Sequence, residues 1–376
     1  MLTKRLKQIT FMILIFVTFA SGTSQQMVKI SQEPNSSSHY SKKENSDDVT
    51  KVSARNVELE KAIRHYQDAE FQNAIDILER LVITKQLSKE NHREALEYLA
   101  MLYCAEGQVQ KAKAIFKEIL DEDCNYRPSE NWWPHQRLMD VFYEMLKGCP
   151  VPQFDSKIKT IAFIDFDNAS VENFEKYQNL GKALAKMISS DFGNLNNLKI
   201  VEREHLSYLL RELDLSKSDL TNPAYRARIG KLMSAQSFVF GSFTQIGKTF
   251  RIDVRVVKTE TSERIVNTYV EGKPKKITKL AKKLTLKIIE DLEVVLEEQD
   301  KEKIKNVGKE AIPIDAIALY GDAMTLASCE RYEEAARKIQ AALEMAPNFQ
   351  KAEDLMRFLQ PFAKKLSTRK INLRGV

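Results

Sequence analysis

Apolar residues recur along this chain at two different periods, and the change of period divides it. From Val57 the spacing is helical. Leu59, Ala62, Ile63 and Tyr66 fall on one face, and after a turn near Glu70, Phe71, Ala74, Ile75, Leu78 and Leu81 fall on another. The scheme returns with Leu96, Leu99, Ala100 and Tyr103, breaks at Gly107, and resumes with Val109, Ala112, Phe116, Ile119 and Leu120. Pro134–Lys147 predicts one more helix, carrying Leu138, Val141, Phe142, Met145 and Leu146. The closely spaced prolines of Cys-Pro-Val-Pro-Gln at 149–153 then forbid regular structure and mark a boundary.

Beyond that boundary the period changes. Ile158–Phe166 is a largely apolar run, as expected of a strand covered on both faces. Leu180, Ala183, Leu184, Met187, Ile188 and Phe192 predict a helix that Gly193 and Asn194 end. Leu198–Val201 is a short strand, and Leu206, Leu209, Leu210 and Leu213 mark the next helix. Asn222-Pro223 supplies an N-cap and a first-turn residue for a helix carrying Tyr225, Ile229 and Leu232. Ser237–Gln245 and Thr249–Lys258 predict a hairpin through a tight turn at Ile246-Gly247-Lys248. Within it Phe250, Ile252, Val254 and Val256 alternate with Arg251, Asp253 and Arg255, the pattern of a half-solvated strand. Arg264–Val270 is a third strand, and Ile277–Leu296 is a long helix packing back. The predicted class is α+β or α/β: a central mixed-sheet domain over 155–298 with helices against it.

Residues 299–312 read as a charged linker. A second helical stretch over 313–362 places Leu319, Ala323 and Leu326 on one helix and Tyr332, Ala335, Ile339, Ala342 and Leu343 on the next, with Pro347 as a stop. Ala352–Phe362 reads as a capping helix and 363–376 as a basic tail. The Tyr-x-x-Ala-x-x-x-Ile-x-x-Ala-Leu-x-x-x-Pro spacing from Tyr332 to Pro347 resembles the second half of a tetratricopeptide repeat, whose length is about 34 residues. Residues 55–148 resemble the same repeats more loosely. The resemblance implies concave surfaces that take up protein segments. Tyr103, Trp132, Trp133 and Tyr332 are the candidate protein-binding residues.

The N-terminus changes the compartment. Lys4, Arg5 and Lys7 precede Phe11–Ala20, apolar but for Thr18, and Ala20, Ser21 and Gly22 are small. That order predicts a signal peptide over 1–22. The apolar block is shorter than the roughly 20 residues a spanning helix needs. No cysteine follows it to carry a lipid. Residues 23–54 are polar and read as a flexible tether. The formal net charge is +6, and only +3 without the three leader cations, too little bias to argue for nucleic acid. In an exported chain, Cys124 and Cys149, in loop-like sequence flanking one helix, are a possible disulfide pair; Cys104 and Cys329, inside helices, read as buried thiols.

Candidate chemistry is sparse. Gly241-Ser-Phe-Thr-Gln-Ile-Gly247-Lys248-Thr249 has five residues between its glycines and lies between strands, whereas a phosphate loop ends at a helix N-terminus. Asp165 and Asp167 end a strand, where acids hold a metal less often than they cap a turn. Arg203 reads as an ion-pair partner of Asp165 or Glu202. His39, His65, His92, His135 and His205 lack ligand spacing, and no Ser/His/Asp or Cys/His set stands out. We therefore expect no enzyme, no metal and no cofactor.

Four pieces of the central block carry a further resemblance. They are Ile161-Ala162-Phe163-Ile164-Asp165-Phe166; Val201-Glu202-Arg203-x-x-Leu206-x-x-Leu209-Leu210; Ile229-Gly230-Lys231-Leu232-x-x-Ala235 leading to Phe240-Gly241-Ser242; and Ile252-x-Val254-Arg255-Val256-Val257 before Thr261-x-x-x-Ile265. In this order they resemble the CsgG-type family of curli assembly and transport components, and more distantly the N-terminal domain of TolB-like proteins. The resemblance implies a periplasmic α/β domain that self-associates or docks to envelope proteins, with Asp165, Arg203, Gly230 and Gly241 as structural motif positions. Family members that form a secretion pore insert two long hairpins, and here both insertion points are short. The expectation is an exported, non-enzymatic scaffold or adaptor, periplasmic and at most peripheral to the outer membrane. Its partners would be envelope proteins, bound through the helical repeats, and a second copy, bound through the central domain. The alternatives are an oligomeric outer-membrane secretion channel of the curli-transport type and an envelope enzyme or activator with a pocket near Asp165 or Arg203.

Overall fold

The computed structural model describes residues 56–84, 87–129, 132, 134–150, 159–192, 195, 198–201, 203–292, 302, 304 and 312–374, with side chains as far as 366. All of these fall in one compact unit, Ser53–Val376. The expected leader and tether, and nearly all of the expected linker at 299–312, lie outside the described residues.

Five helices come first: α1 (Val57–Gln67), α2 (Phe71–Thr84), α3 (Lys89–Ala105), α4 (Val109–Glu122) and α5 (Gln136–Leu146). Short polar side chains start two of them. Asn56 Oδ1 accepts from the Glu58 N–H at 2.9 Å, and Ser88 Oγ from the Asn91 N–H at 3.2 Å. The central domain follows as β1 (Lys159–Phe163), β2 (Asp167–Asn168), α6 (Leu180–Phe192), β3 (Leu198–Val201), α7 (Arg203–Glu212), α8 (Pro223–Met233), β4 (Ser237–Ile246), β5 (Thr249–Lys258), β6 (Arg264–Gly272) and α9 (Ile277–Asp291). Then come α10 (Ile314–Ser328), α11 (Tyr332–Met345) and α12 (Gln350–Arg374).

Three helix hairpins, α1–α2, α3–α4 and α10–α11, share one turn geometry. Each passes through a single left-handed residue: Ala69 (φ 62°), Gly107 (φ 76°) and Glu330 (φ 56°). In each, the next N–H reaches back into the first helix: Glu70 to the His65 carbonyl at 2.8 Å, Gln108 to Tyr103 at 2.7 Å, Arg331 to Leu326 at 2.9 Å. This closes the orphan carbonyls of the helix end. Ala69 and Glu330 hold a conformation that costs a residue with a Cβ about 1–2 kcal/mol, so packing selects the turn, not local preference. Three positions into each second helix stands an alanine, Ala74, Ala112 or Ala335, with 0% exposure. Small side chains there let the paired helices approach closely.

The sheet order is β3-β1-β4-β5-β6, with β2 also pairing β4. β1 is parallel to β3 and to β4; β4, β5 and β6 are antiparallel. The parallel pairs need crossovers, α6 in one direction and α7–α8 in the other, which sets these helices on opposite faces of β1. Ile161, Ala162 and Phe163 are accordingly buried on both sides. Gly247 (φ 54°) and Lys248 make a two-residue turn, with Ile246 paired to Thr249. Phe250, Ile252, Val254 and Val256 point inward; Arg251 and Asp253 are half-buried and Arg255 is exposed.

The two helical stretches meet each other. Phe362 of α12 packs on Tyr66, Phe71, His135 and Tyr332, at ring-centroid distances of 6.2, 5.7, 5.3 and 4.7 Å. Arg137 Nη2 donates to Glu330 at 2.6 Å, and Lys364 Nζ to Asp68 at 3.1 Å. Sequence reasoning ends the last helix at Phe362 and leaves a tail, but α12 runs through Pro361 to Arg374. Interior proline costs a helix about 3 kcal/mol. Burial of Phe358, Leu359 and Phe362 around it offsets that cost.

Candidate functional site

The crossovers reverse direction at β1, so the carboxyl end of β1 is the topological switch point, where open α/β sheets hold their ligands. Pairing between β1 and β4 is interrupted there. The Ile164 N–H still reaches the Val239 carbonyl at 3.1 Å, and the ladder resumes with Ala169 N–H to Phe243 at 2.8 Å. Phe166, in the gap, is held on two sides by glycines. A Cβ on Gly181 would lie 1.8 Å from the Phe166 carbonyl oxygen, and one on Gly241 would lie 2.4 Å from its ring. The backbone of Phe166 and its ring fill the places of those missing methyls, and the preceding Asp165 faces the start of α7.

Arg203 Nη1 donates to Asp165 Oδ1 at 2.9 Å and Oδ2 at 3.2 Å, and its Nη2 to Glu204 Oε1 at 3.4 Å. Lys217 Nζ donates to the Asp165 carbonyl at 3.3 Å and to Asp167 Oδ1 at 2.6 Å. Lys182, on α6, reaches Thr325 Oγ1 of α10 at 3.4 Å. Burial raises the Asp165 pKa, but Arg203, Lys182 and Lys217 outweigh it and hold the carboxyl below its ordinary value. Burial opposes the Arg203 charge, yet Asp165 and Glu204 raise its pKa above the usual guanidinium range. Burial and the neighbouring Arg203 push the Lys182 ammonium down to about 8. At this site two buried atoms, Arg203 Nε and Glu204 Oε2, have no hydrogen-bond partner among the described residues.

Asp165 is the wall between two cavities. One, of ≈ 260 Å³, includes Lys182, Arg203, Glu204, Tyr320, Met324 and Phe358 in its lining and is closed over by α10 and α12. The other, of ≈ 430 Å³, opens on the outer sheet face beside Phe240, Asp253 and Arg255. α10 is fixed over α6 by Tyr177 OH to Asp315 (3.1 Å) and Asn179 Nδ2 to Asp322 (2.9 Å). A third cavity, of ≈ 740 Å³, lies where the helical stretches meet.

Of the residues singled out by sequence, Asp165, Arg203 and Gly241 come together at the switch point. Gly230 does not: a Cβ there would lie 2.1 Å from Thr259 Cγ2, so it seats α8 on the end of β5. A disulfide joins Cys124 to Cys149, with Cα atoms 5.6 Å apart. Cys104 is buried, and burial pushes its thiol up to about 12; Cys329 is exposed, because it falls at the end of α10 and not inside it. The expected protein-binding rings are spent on the interior. Trp132 is buried and donates Nε1 to Glu97 at 3.0 Å; Tyr103 is buried and bonds Glu79; Tyr332 is buried in the aromatic cluster. Their large apolar areas favour burial over display. Trp133 lies outside the described residues. Lys182 and Glu204 escaped sequence reasoning. The available signal was a lone cation inside Leu-Gly-Lys-Ala-Leu-Ala, residues 180–185. Among the described residues no group of three or more His, Cys, Asp or Glu is placed to hold a metal, and no helix is long and apolar enough to cross a membrane.

Sheet order and switch point define a mixed-sheet α/β domain with helices on both faces of its parallel part. Residues 143–251 match the family model for the curli production assembly/transport component CsgG. The match begins inside α5 and ends in β5. The central domain is thus CsgG-like, which fits a protein of the cell envelope. Among solved structures, the C-terminal domain of LpoB from Salmonella enterica is similar over 39% of this chain and 99% of its own, at 14% identity and TM-score 0.27. Lipoprotein GNA1162 from Neisseria meningitidis is similar over 37% of this chain and 99% of its own, at 9% identity and TM-score 0.27. No curated protein matches the chain.

Proposed function

We propose that the protein is an exported, non-enzymatic scaffold of the bacterial cell envelope. The CsgG-like domain serves self-association or docking, and the helix hairpins take up segments of envelope proteins. The observation that carries this reading is the ≈ 740 Å³ groove between the hairpin turns and α12. Its rim sets the carboxylates of Asp68, Glu70, Glu106 and Glu330 beside the cations of Arg137 and Lys365, over Phe71, Tyr332 and Phe362. A mixed-charge rim around a groove of this size suits a polypeptide segment better than a small metabolite. The CsgG-like domain and the Cys124–Cys149 bond, which a reducing cytosol would not keep, support export. The two-residue turn between β4 and β5 offers no membrane hairpin, which weighs against a channel.

The test is fractionation of tagged full-length protein, followed by capture from envelope extract with wild type and with Glu106→Lys and Lys365→Glu. The reading predicts envelope recovery and loss of captured proteins with either charge reversal. Recovery of the mature form in the cytosol would overturn export, and unchanged capture by both variants would overturn the groove.

A further inference from the structure

The ≈ 260 Å³ cavity beside Asp165 has a chemistry that the scaffold reading does not use. One wall is cationic. Among the described residues Lys182 Nζ has a single long hydrogen bond, 3.4 Å, to a threonine hydroxyl, and Arg203 Nε is buried with no hydrogen-bond partner. Beside them stands one acceptor without a partner, Glu204 Oε2. The opposite wall, from α10 and α12, sets an apolar patch of Met324, Leu355 and Phe358 among the polar Ser328, Lys351 and Asp354. A buried polar atom left without a partner costs about 1–3 kcal/mol, so Arg203 Nε and Glu204 Oε2, beside the weakly held Lys182 ammonium, favour an occupant with matching groups.

Each feature excludes something. Two donors ask for an anion. The Glu204 carboxylate disfavours a bare dianion such as phosphate and asks for a hydrogen-bond donor next to the anion. The apolar patch asks for a hydrocarbon group. A volume below the roughly 300–1,000 Å³ of drug-sized sites excludes a folded segment. The end of a polypeptide supplies all three groups on adjacent atoms: a carboxylate, the amide N–H of the last residue, and its side chain.

We infer that this cavity binds the C-terminal residue of a polypeptide partner, with its carboxylate on Lys182 and Arg203, its last amide N–H on Glu204, and an apolar side chain against Met324, Leu355 and Phe358. The inference deepens the scaffold reading and rests on it only for the identity of the ligand as a protein end. Its test uses purified full-length chain, whereas that of the scaffold reading uses cell fractions, so the two fail separately.

The probes are N-acetyl-alanyl-leucine, its C-terminal amide, hexanoate and inorganic phosphate, titrated at pH 7 by calorimetry. The free acid binds saturably and the amide binds at least about tenfold more weakly, since a charge-assisted pair contributes roughly twice a neutral bond. Lys182→Met weakens the acid at least about tenfold while keeping a cooperative thermal transition. Met324→Trp, which narrows the cavity at the apolar patch, does the same should the first variant fail to fold. The wild-type chain gives a third reading. Burial and Arg203 push the Lys182 pKa down to about 8, so affinity should fall about tenfold between pH 7 and 9.5. Equal binding of acid and amide, or no binding, overturns the inference. Hexanoate as tight as the dipeptide makes the ligand an apolar carboxylate with no chain end and overturns it. Phosphate as tight as the dipeptide makes the site a simple anion site and overturns it as well.

Discussion

Arg203 grips Asp165 by one nitrogen against both carboxylate oxygens, at 2.9 and 3.2 Å. The side chains are only 16% and 32% exposed, so the pair lies between a surface bridge and a buried one. Arg203→Ala leaves Asp165 in a partly dry site. We expect a loss of about 1–3 kcal/mol, less than the 3–5 kcal/mol of a fully buried pair broken on one side. Urea unfolding of the variant measures it; a loss under about 0.5 kcal/mol would rank the pair with surface bridges. The folded pKa of Asp165 lies below its unfolded value. Its contribution is therefore present above the ordinary carboxylate range and is lost as pH falls through the folded value.

His135 predicts a second pH dependence, in a different window. Burial, then the Arg137 charge, lower its pKa to about 4, and its Nε2 has no partner among the described residues. His205, stacked on Tyr143 at 4.5 Å, is lowered to about 4 by burial and Arg127. A folded pKa below the unfolded 6.5 means the unfolded chain binds more protons between the two values. Stability therefore falls as pH drops from about 6.5 to about 4, by up to about 3 kcal/mol for His135 alone. Denaturant midpoints at pH 7 and 5 check this. His135→Asn, which cannot titrate, should flatten the difference, and an unchanged slope in that variant would refute the assignment.

The secondary structure was readable and the long-range assembly was not. Leu198–Val201 and Thr249–Lys258 announce themselves as strands because alternation and apolar runs act over a few residues. The meeting of Tyr66 with Phe362 carries no such signal. The two rings lie almost the whole length of the folded chain apart, and each looks locally like one more residue on a helical stripe. Trp132, Tyr103 and Tyr332 looked like display residues for the same reason: what covers them lies on other helices, Tyr66 and Tyr98 for Trp132, Glu79 for Tyr103, and Phe358 and Phe362 of α12 for Tyr332. At the site, Asp165 and Arg203 stood out as charges at strand ends. Lys182 became visible only once α10 closed over it.

Reduction should cost stability measurably. The bond between Cys124 and Cys149 closes a loop of 25 residues' separation. Chain-entropy arithmetic gives about 3–4 kcal/mol for such a loop. Cys149→Ser should lower the urea midpoint accordingly, and intact-mass analysis of alkylated protein should show two thiols blocked before reduction and four after. Four free thiols in native protein from the envelope fraction would refute the pairing.

Gly321→Ala should loosen α10 from α6. The added methyl would lie 2.2 Å from the Asn179 carbonyl oxygen, a backbone atom that cannot swing aside. Overpacking of this kind costs about 1–3 kcal/mol. Gly107→Ala is the control, because nothing lies within 4 Å of its would-be Cβ, although its φ of 76° still costs about 1 kcal/mol. Amide exchange should rise in α10 for the first variant and stay local to the α3–α4 turn for the second.

Gly181 and Gly321 leave α6 in backbone contact above and below: Phe166 on one side through Gly181, and α10 on the other through Asn179. No compressible side chain stands at either point, and close-packed interiors transmit strain. A shift of α10 against α6 therefore bears on Phe166 and on the carboxylate one residue before it through backbone contacts alone. The space under α10 and the cavity on the outer sheet face thus share a wall, Asp165, whose position is set by this stack of backbone contacts.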